Sequence, residues 1–190
     1  MKSISIKEKN YNILESWDEI KLGKFIDLIR LWKDKDELPE TLFFIKFIPL
    51  ICDITEEELY SFEENDLIPL SDFLTHNFDM NKFKKKKCGD LLLNNKTYSA
   101  VKLNSLTVGE RISLDLLDKS SQDDFDRWLN RLSILVRPSI SETNEFDEVE
   151  FIPEKFKADV ALLTKRKKLM LDIPAVNSIW ILESFPNGRK

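Results

Sequence analysis

"SQDDFDRWLNRLSILVRP", from Ser121 to Pro138, carries the clearest periodic signal in the chain. Phe125, Trp128, Leu129, Leu132, Leu135 and Val136 recur at steps of three and four. That spacing puts them on one stripe of an α-helix. Ser121 can cap its start, because a hydroxyl there accepts a free N–H of the first turn. Pro138 is expected to end it, because the residue before a proline avoids the helical region. The composition agrees with a helix-rich chain: thirteen Phe supply core and only four Gly are present to break it.

Just upstream, "LTVGERISLDLL" places Thr107 and Glu110 at the spacing of a capping box, so a short helix starts there. Before it, "LLLNNKTYSAVKL" has two β-prone runs around Asn94–Asn95, a pair that tolerates positive φ, and reads as a β-hairpin. Downstream, "SISETNEFDEVE" is acidic and polar and reads as a loop. "PEKFKADVALLTKRKKLMLDI" reads as a helix stopped by Pro174, and "AVNSIWILESF" as a last helix or strand.

The first half begins with a polar stretch. "SWDE", Ser16 to Glu19, fits a capping box ahead of a helix starting near Leu22, with Leu22, Phe25, Ile26, Leu28 and Ile29 on its apolar face. Pro39 suits a first helical turn. "TLFFIKFIPLICDI" is apolar nearly all round, which predicts a helix buried on every side and kinked or ended by Pro49. Thr55 and Glu58 form another capping-box pair, and "NDLIPLSDFLTH" reads as one more short helix. "FKKKKCGD" is a charged break. It sets a boundary between residues 1–88 and 89–190. The expected fold is mainly α with a small β-hairpin (α+β). Two related helical halves would share a core of Phe43, Phe44, Phe47, Trp128, Leu132 and Leu135.

A short phrase occurs twice. "IKLGKFIDL" begins at Ile20 and "LTVGERISL" at Leu106, with Gly23 and Gly109 in the fourth place. Each precedes a second, more apolar helix that ends near a proline, Pro49 or Pro138. Chance periodicity is the competing reading of so short a match. As a signature, the glycine would permit close approach of a neighbouring backbone or relieve strain where the helix begins.

Several chemistries find little support. His76 is the only histidine and sits near a helix end, where a basic side chain suits the dipole. One His and two separated Cys, Cys52 and Cys88, give no zinc spacing. Glu56–Glu58 and Glu63, Glu64 and Asp66 lack the glycine-bearing loop of a calcium hand and fit helix starts better. No GxxxxGK[ST] or GxGxxG is present. These readings lead to no cofactor, no metal and no catalytic residue. No apolar run reaches the ~18–20 residues that span a bilayer, so no membrane association is expected. The net charge of −5 argues against a general polyanion binder. Two basic runs remain, Lys84, Lys85, Lys86 and Lys87, and Lys165, Arg166, Lys167 and Lys168. They read first as solvated charge, then as contacts for an acidic partner protein. Nucleic acid is the less favoured partner.

The hairpin "LLLNNKTYSAV", the following "LNSLTVGERISL" and the helix end "SILVRP" together resemble a class of virion-assembly proteins of tailed bacteriophages. Those carry a hydrophobic hairpin, then L-x-x-[IL]-T-x-G-E-[FY]-I-D-L, then a helix ending in [IL]-L-x-R-P. "LESWDEIKLGKFIDLIRL" resembles the opening of the same proteins. The resemblance spans about two thirds of the chain, loosens after Pro153, and departs at Arg111 and Ser113, where the family has an aromatic and an acid. On it, Gly23, Gly109, Thr107, Glu110, Arg137 and Pro138 are motif residues of the scaffold. It implies a non-enzymatic tail assembly chaperone that holds an aggregation-prone virion protein in the host cytoplasm. The alternative is a structural or packaged virion component, either of them in contact with other phage proteins or with further copies of itself.

Overall fold

The computed structural model describes residues 2–143 and 149–185. Its first feature lies in the stretch that reads as a polar start. Lys7 and Glu8 both take positive φ, 47° and 65°, the conformation of a two-residue turn whose twist matches paired strands. They join β1 (Lys2–Ile6) to β2 (Lys9–Ile13), with Ile4 opposite Tyr11. The hairpin escapes a sequence reading because its turn is Lys-Glu rather than Asn-Gly.

Ser16 does not cap the first long helix. It precedes a single 3-10 turn, Trp17–Glu19, and its side chain makes no capping bond. Trp17 is buried, and its Nε1–H donates to the Asp79 carbonyl at 3.1 Å. The chain therefore turns once around this anchor before α1 (Leu22–Lys33) begins, with Lys21 at its N-cap. α2 (Glu40–Ile51) keeps Pro49 inside its last turn, where the missing N–H leaves the Ile45 carbonyl without its helical donor, and the helix ends two residues later. α3 (Glu56–Leu59) carries the Thr55–Glu58 capping box in full, and α4 (Glu64–Asn77) follows.

The second stretch opens with β3 (Leu91–Leu93) and β4 (Lys96–Ala100), joined at Asn94–Asn95, both with positive φ. α5 (Val108–Ser120) starts on the Thr107–Glu110 capping box. α6 (Asp124–Leu135) is capped by Asp123, not Ser121: the Asp123 carboxylate accepts the Asp126 N–H at 2.6 Å. Pro138 does not end this helix. Val136 already begins β5 (Val136–Thr143), and Pro138 pairs opposite Tyr98 near the start of that strand. β6 (Val149–Pro153) pairs with β5, so the expected loop "SISETNEFDEVE" is largely strand, its residues 144–148 lying outside the described ones. The outer half of β5 is exposed on both faces, so no apolar alternation betrays it. The result is an antiparallel sheet in the order β3-β4-β5-β6, larger than the expected hairpin. α7 (Val160–Met170) and α8 (Ala175–Ser184) complete an α+β fold.

The backbone gathers into two compact units: residues 1–84 with 174–176, and residues 85–173 with 177–190. Phe43 and Phe47 are buried in the first; Leu132 and Leu135 are buried in the second. In the first unit, the Ala175 N–H donates to the Ile20 carbonyl at 2.8 Å and Pro174 pairs with Lys21.

The two units repeat one order of elements. Each has a hairpin with two positive-φ residues, a 3-10 turn, a helix with glycine second, and a 12-residue helix. The hairpins share one register: Ile4 opposite Tyr11 corresponds to Leu91 opposite Tyr98, and both tyrosines are buried. The closing contact recurs as well. Leu14 N–H donates to the Ile51 carbonyl at 3.0 Å, and Val101 N–H donates to the Leu135 carbonyl at 2.8 Å. In both, the residue after the second helix returns to the hairpin, as the bridge Ile13–Cys52 and the pair Ala100–Val136. The repeated phrase thus marks one supersecondary unit used twice.

Candidate functional site

In the first unit, α1 and α2 bring Trp32, Phe43 and Phe47 together. Trp32 meets Phe43 and Phe47 edge-on, with centroids 5.8 and 5.2 Å apart, and Phe43 stacks on Phe47 at 5.6 Å. Beside them opens a cavity of about 580 Å³, whose further wall includes Phe44, Leu74, Phe78 and Met80. Phe43 and Phe47 form its buried floor, while Met80 stands partly exposed at 37%. Asp36, Glu40 and Asp79 lie on its margin with Lys35, whose ammonium sits 5.7 Å from the Phe43 ring centroid. An apolar wall with a charged margin is the form of a site for an apolar side chain or segment. The all-round apolar character of α2 signals this groove, because a helix so apolar needs cover on every side. Trp32, Leu74 and Met80 carry no such signal.

In the second unit, residues that are separate in sequence meet. Glu110 Oε2 accepts the Thr107 N–H at 2.5 Å, and Glu110 Oε1 lies 2.7 Å from Arg137 Nη2. Both side chains are buried, Glu110 at 1% and Arg137 at 6% exposure. One carboxylate therefore caps α5 and fixes the start of β5 to it. Arg166 of α7 is also buried and pairs with Glu154. Burial pushes the pKa of both guanidinium groups down, and at Arg137 the neighbouring Arg166 charge adds to that. Among the described residues, Arg137 Nε and Arg166 Nε and Nη1 have no hydrogen-bond partner. A cavity of about 1170 Å³ adjoins Thr107, Gly109, Glu110 and Arg137. The two acids already face the two arginines, so the cluster is an internal latch. Pro138 lies next to it in β5 and touches the fold through its carbonyl, which accepts the Glu154 N–H at 2.8 Å.

Gly109 does not play the part expected of it. No described glycine has positive φ. A Cβ built on Gly109 would meet nothing within 4 Å, so no backbone approaches closely there. Gly23 sits half-buried at the second position of α1.

The lysine runs also divide. Arg166 is not solvated charge, since its side chain is 3% exposed. Lys167 pairs with Asp126, while Lys165 and Lys168 are exposed. In the other run, Lys84, Lys85, Lys86 and Lys87 are all exposed. Lys85 pairs with Glu183, and the Lys86 and Lys87 carbonyls accept from Asn177 Nδ2 at 3.2 and 3.4 Å. With Arg166 buried, the run from Lys165 to Lys168 makes no continuous cationic face. Among the described residues no three His, Cys, Asp or Glu are grouped to hold a metal ion. No helix among them is long and apolar enough to cross a membrane. No protein-family model, curated protein or solved structure matches the chain.

Proposed function

We propose that this chain is a non-enzymatic binding protein of phage particle assembly, acting as a tail assembly chaperone. It would hold an apolar segment of a virion protein in the groove of Trp32, Phe44, Phe47 and Met80. The observation that carries this reading is the groove itself: aromatic walls, a buried floor and an open side. The resemblance of "LNSLTVGERISL" and "SILVRP" to phage assembly proteins supplies the setting. A groove whose open side carries half-buried Trp32 and Phe44 and exposed Met80 suits a transient grip on a client that later polymerises.

The test is retention of phage tail proteins from infected lysate by the purified chain, with each retained protein identified by mass spectrometry. A tail protein with a long apolar segment should be retained, and Met80→Lys and Phe44→Asp should release it. Met80 is partly exposed, so its variant keeps the fold. Retention unchanged by both substitutions, or retention of no virion protein, overturns the proposal.

A further inference from the structure

The second unit bears an apolar face that none of its described residues covers. Val108, Ile112 and Leu116 are spaced by four along α5, so they form one stripe, and they are 74%, 54% and 61% exposed. Apolar residues grouped on one helix face mark an interaction surface more often than scattered ones do. The repeat gives the comparison. Val108 and Ile112 correspond to Leu22 and Ile26 of α1, which are 0% and 3% exposed. In the first unit the chain covers α1 itself: Phe25 stacks on Phe83 at 5.1 Å, and Trp17 meets Phe25 and Phe78 edge-on. At the place of Phe25 the second unit has Arg111, which is exposed.

The margins of the stripe describe its occupant. On one side run Arg111, Asp115 and Lys119, all exposed. Among the described residues Arg111 and Lys119 make no ion pair. On the other side lie Gly109, Ser113 and Ser120, small enough to let a second helix come close.

We infer that the Val108–Ile112–Leu116 face of α5 is a docking surface for an amphipathic helix of another protein, with acidic residues flanking its apolar stripe. The acids would meet Arg111 and Lys119, and the apolar side chains would cover the stripe in the helix-on-helix manner. This surface lies in a different unit from the proposed client groove and stands independently of that reading.

The experiment uses the full chain and two fluorescent synthetic peptides, each with leucines at i, i+3, i+4 and i+7 of a helical sequence. One has glutamates flanking the leucines and the other has lysines. Fluorescence anisotropy should show the glutamate peptide binding about tenfold more tightly than the lysine peptide. Measured in the Met80→Lys background, where the groove takes no apolar segment, the triple variant Val108→Ser, Ile112→Ser, Leu116→Ser should lose that binding, and its circular dichroism should match the parent because all three side chains are exposed. Arg111→Glu should reverse the peptide preference, and Met80→Lys should leave it unchanged, which separates this surface from the groove. Equal binding of both peptides, or binding retained by the triple variant, overturns the inference. Self-association of the parent that the triple variant abolishes also overturns it, and makes a second copy the occupant.

Discussion

The first unit buries the start of its glycine-bearing helix, at Leu22 and Ile26, whereas the second exposes the same places at Val108 and Ile112. The segments that come after the shared hairpin and helix pair decide the difference. After Cys52 the first unit continues into α3 and α4 and a turn that brings Phe83 back onto Phe25 of α1 and Phe78 onto Trp17. After Val136 the second unit continues into strands β5 and β6, and α7 packs on α6. One supersecondary unit thus yields a closed helix in one setting and an open one in the other. The latches differ in the same way. Arg137 in the second unit corresponds to Asp53 in the first. Asp53 is exposed and accepts from the Asn12 N–H at 2.6 Å and from Asn12 Nδ2 at 2.8 Å.

The largest effect expected from this contrast is at the latches. Arg137→Ala leaves the Glu110 carboxylate buried without its partner and should cost about 3–5 kcal/mol. Asp53→Ala removes solvent-exposed hydrogen bonds and should cost about 1 kcal/mol. Urea unfolding of both variants measures the two costs, and equal losses would break the comparison. The thiols offer a second contrast, one to each unit. Burial pushes Cys52 up to about 12 and Cys88 up to about 11, so neither is a thiolate at neutral pH. Cys88 is the more exposed of the two, so iodoacetamide should label it first, and Cys52 only in denaturant. Labelling of Cys52 at the Cys88 rate under native conditions would place it outside the core.

The first hairpin is tied to the helices by Lys9 with Glu58 and by Lys7 with Asp66, 3.1 Å apart. The hydrogen bond from Lys9 and the Thr55 N–H hold the Glu58 carboxyl down at about 2. Its folded pKa lies below the unfolded value, so its contribution is present above about pH 4.5 and is lost as pH falls toward about 2. The pair is exposed and screened, so the effect is small and should shrink with salt. NMR titration of the Glu58 carboxyl checks it: in Lys9→Ala the midpoint should rise, and an unmoved midpoint would contradict the assignment. The smallest effect belongs to the motif glycine. Gly109→Ala meets open space at negative φ and should stabilise by about 0.5 kcal/mol. Destabilisation in a thermal melt would restore the close-approach role.

The sequence conveys what local chemistry controls. Asn94–Asn95 announces its turn, Thr107–Glu110 its helix, and the stripe of α6 part of its buried face, Phe125, Leu132 and Leu135, while Trp128 and Leu129 stay half-buried. What it hides is set by distant partners. Ser16 loses its capping role because Trp17 is anchored on Asp79. β5 is legible only as a neighbour of β4 and β6. The Glu110–Arg137 latch joins two separately visible motif ends, but nothing local says that they meet. Arg166 sits in a basic run that looks solvated, and its burial comes from packing of α7. The aromatic groove is half legible, through α2 alone.

The proposed role is that of a chaperone that grips and then releases its client. Mass spectrometry of purified mature virions, with copy number scaled to the major capsid protein, tests it most directly. The chain should be present in infected lysate and absent from the particle. A fixed copy number in the particle, matching a ring symmetry, would contradict the chaperone role and make the chain a structural component.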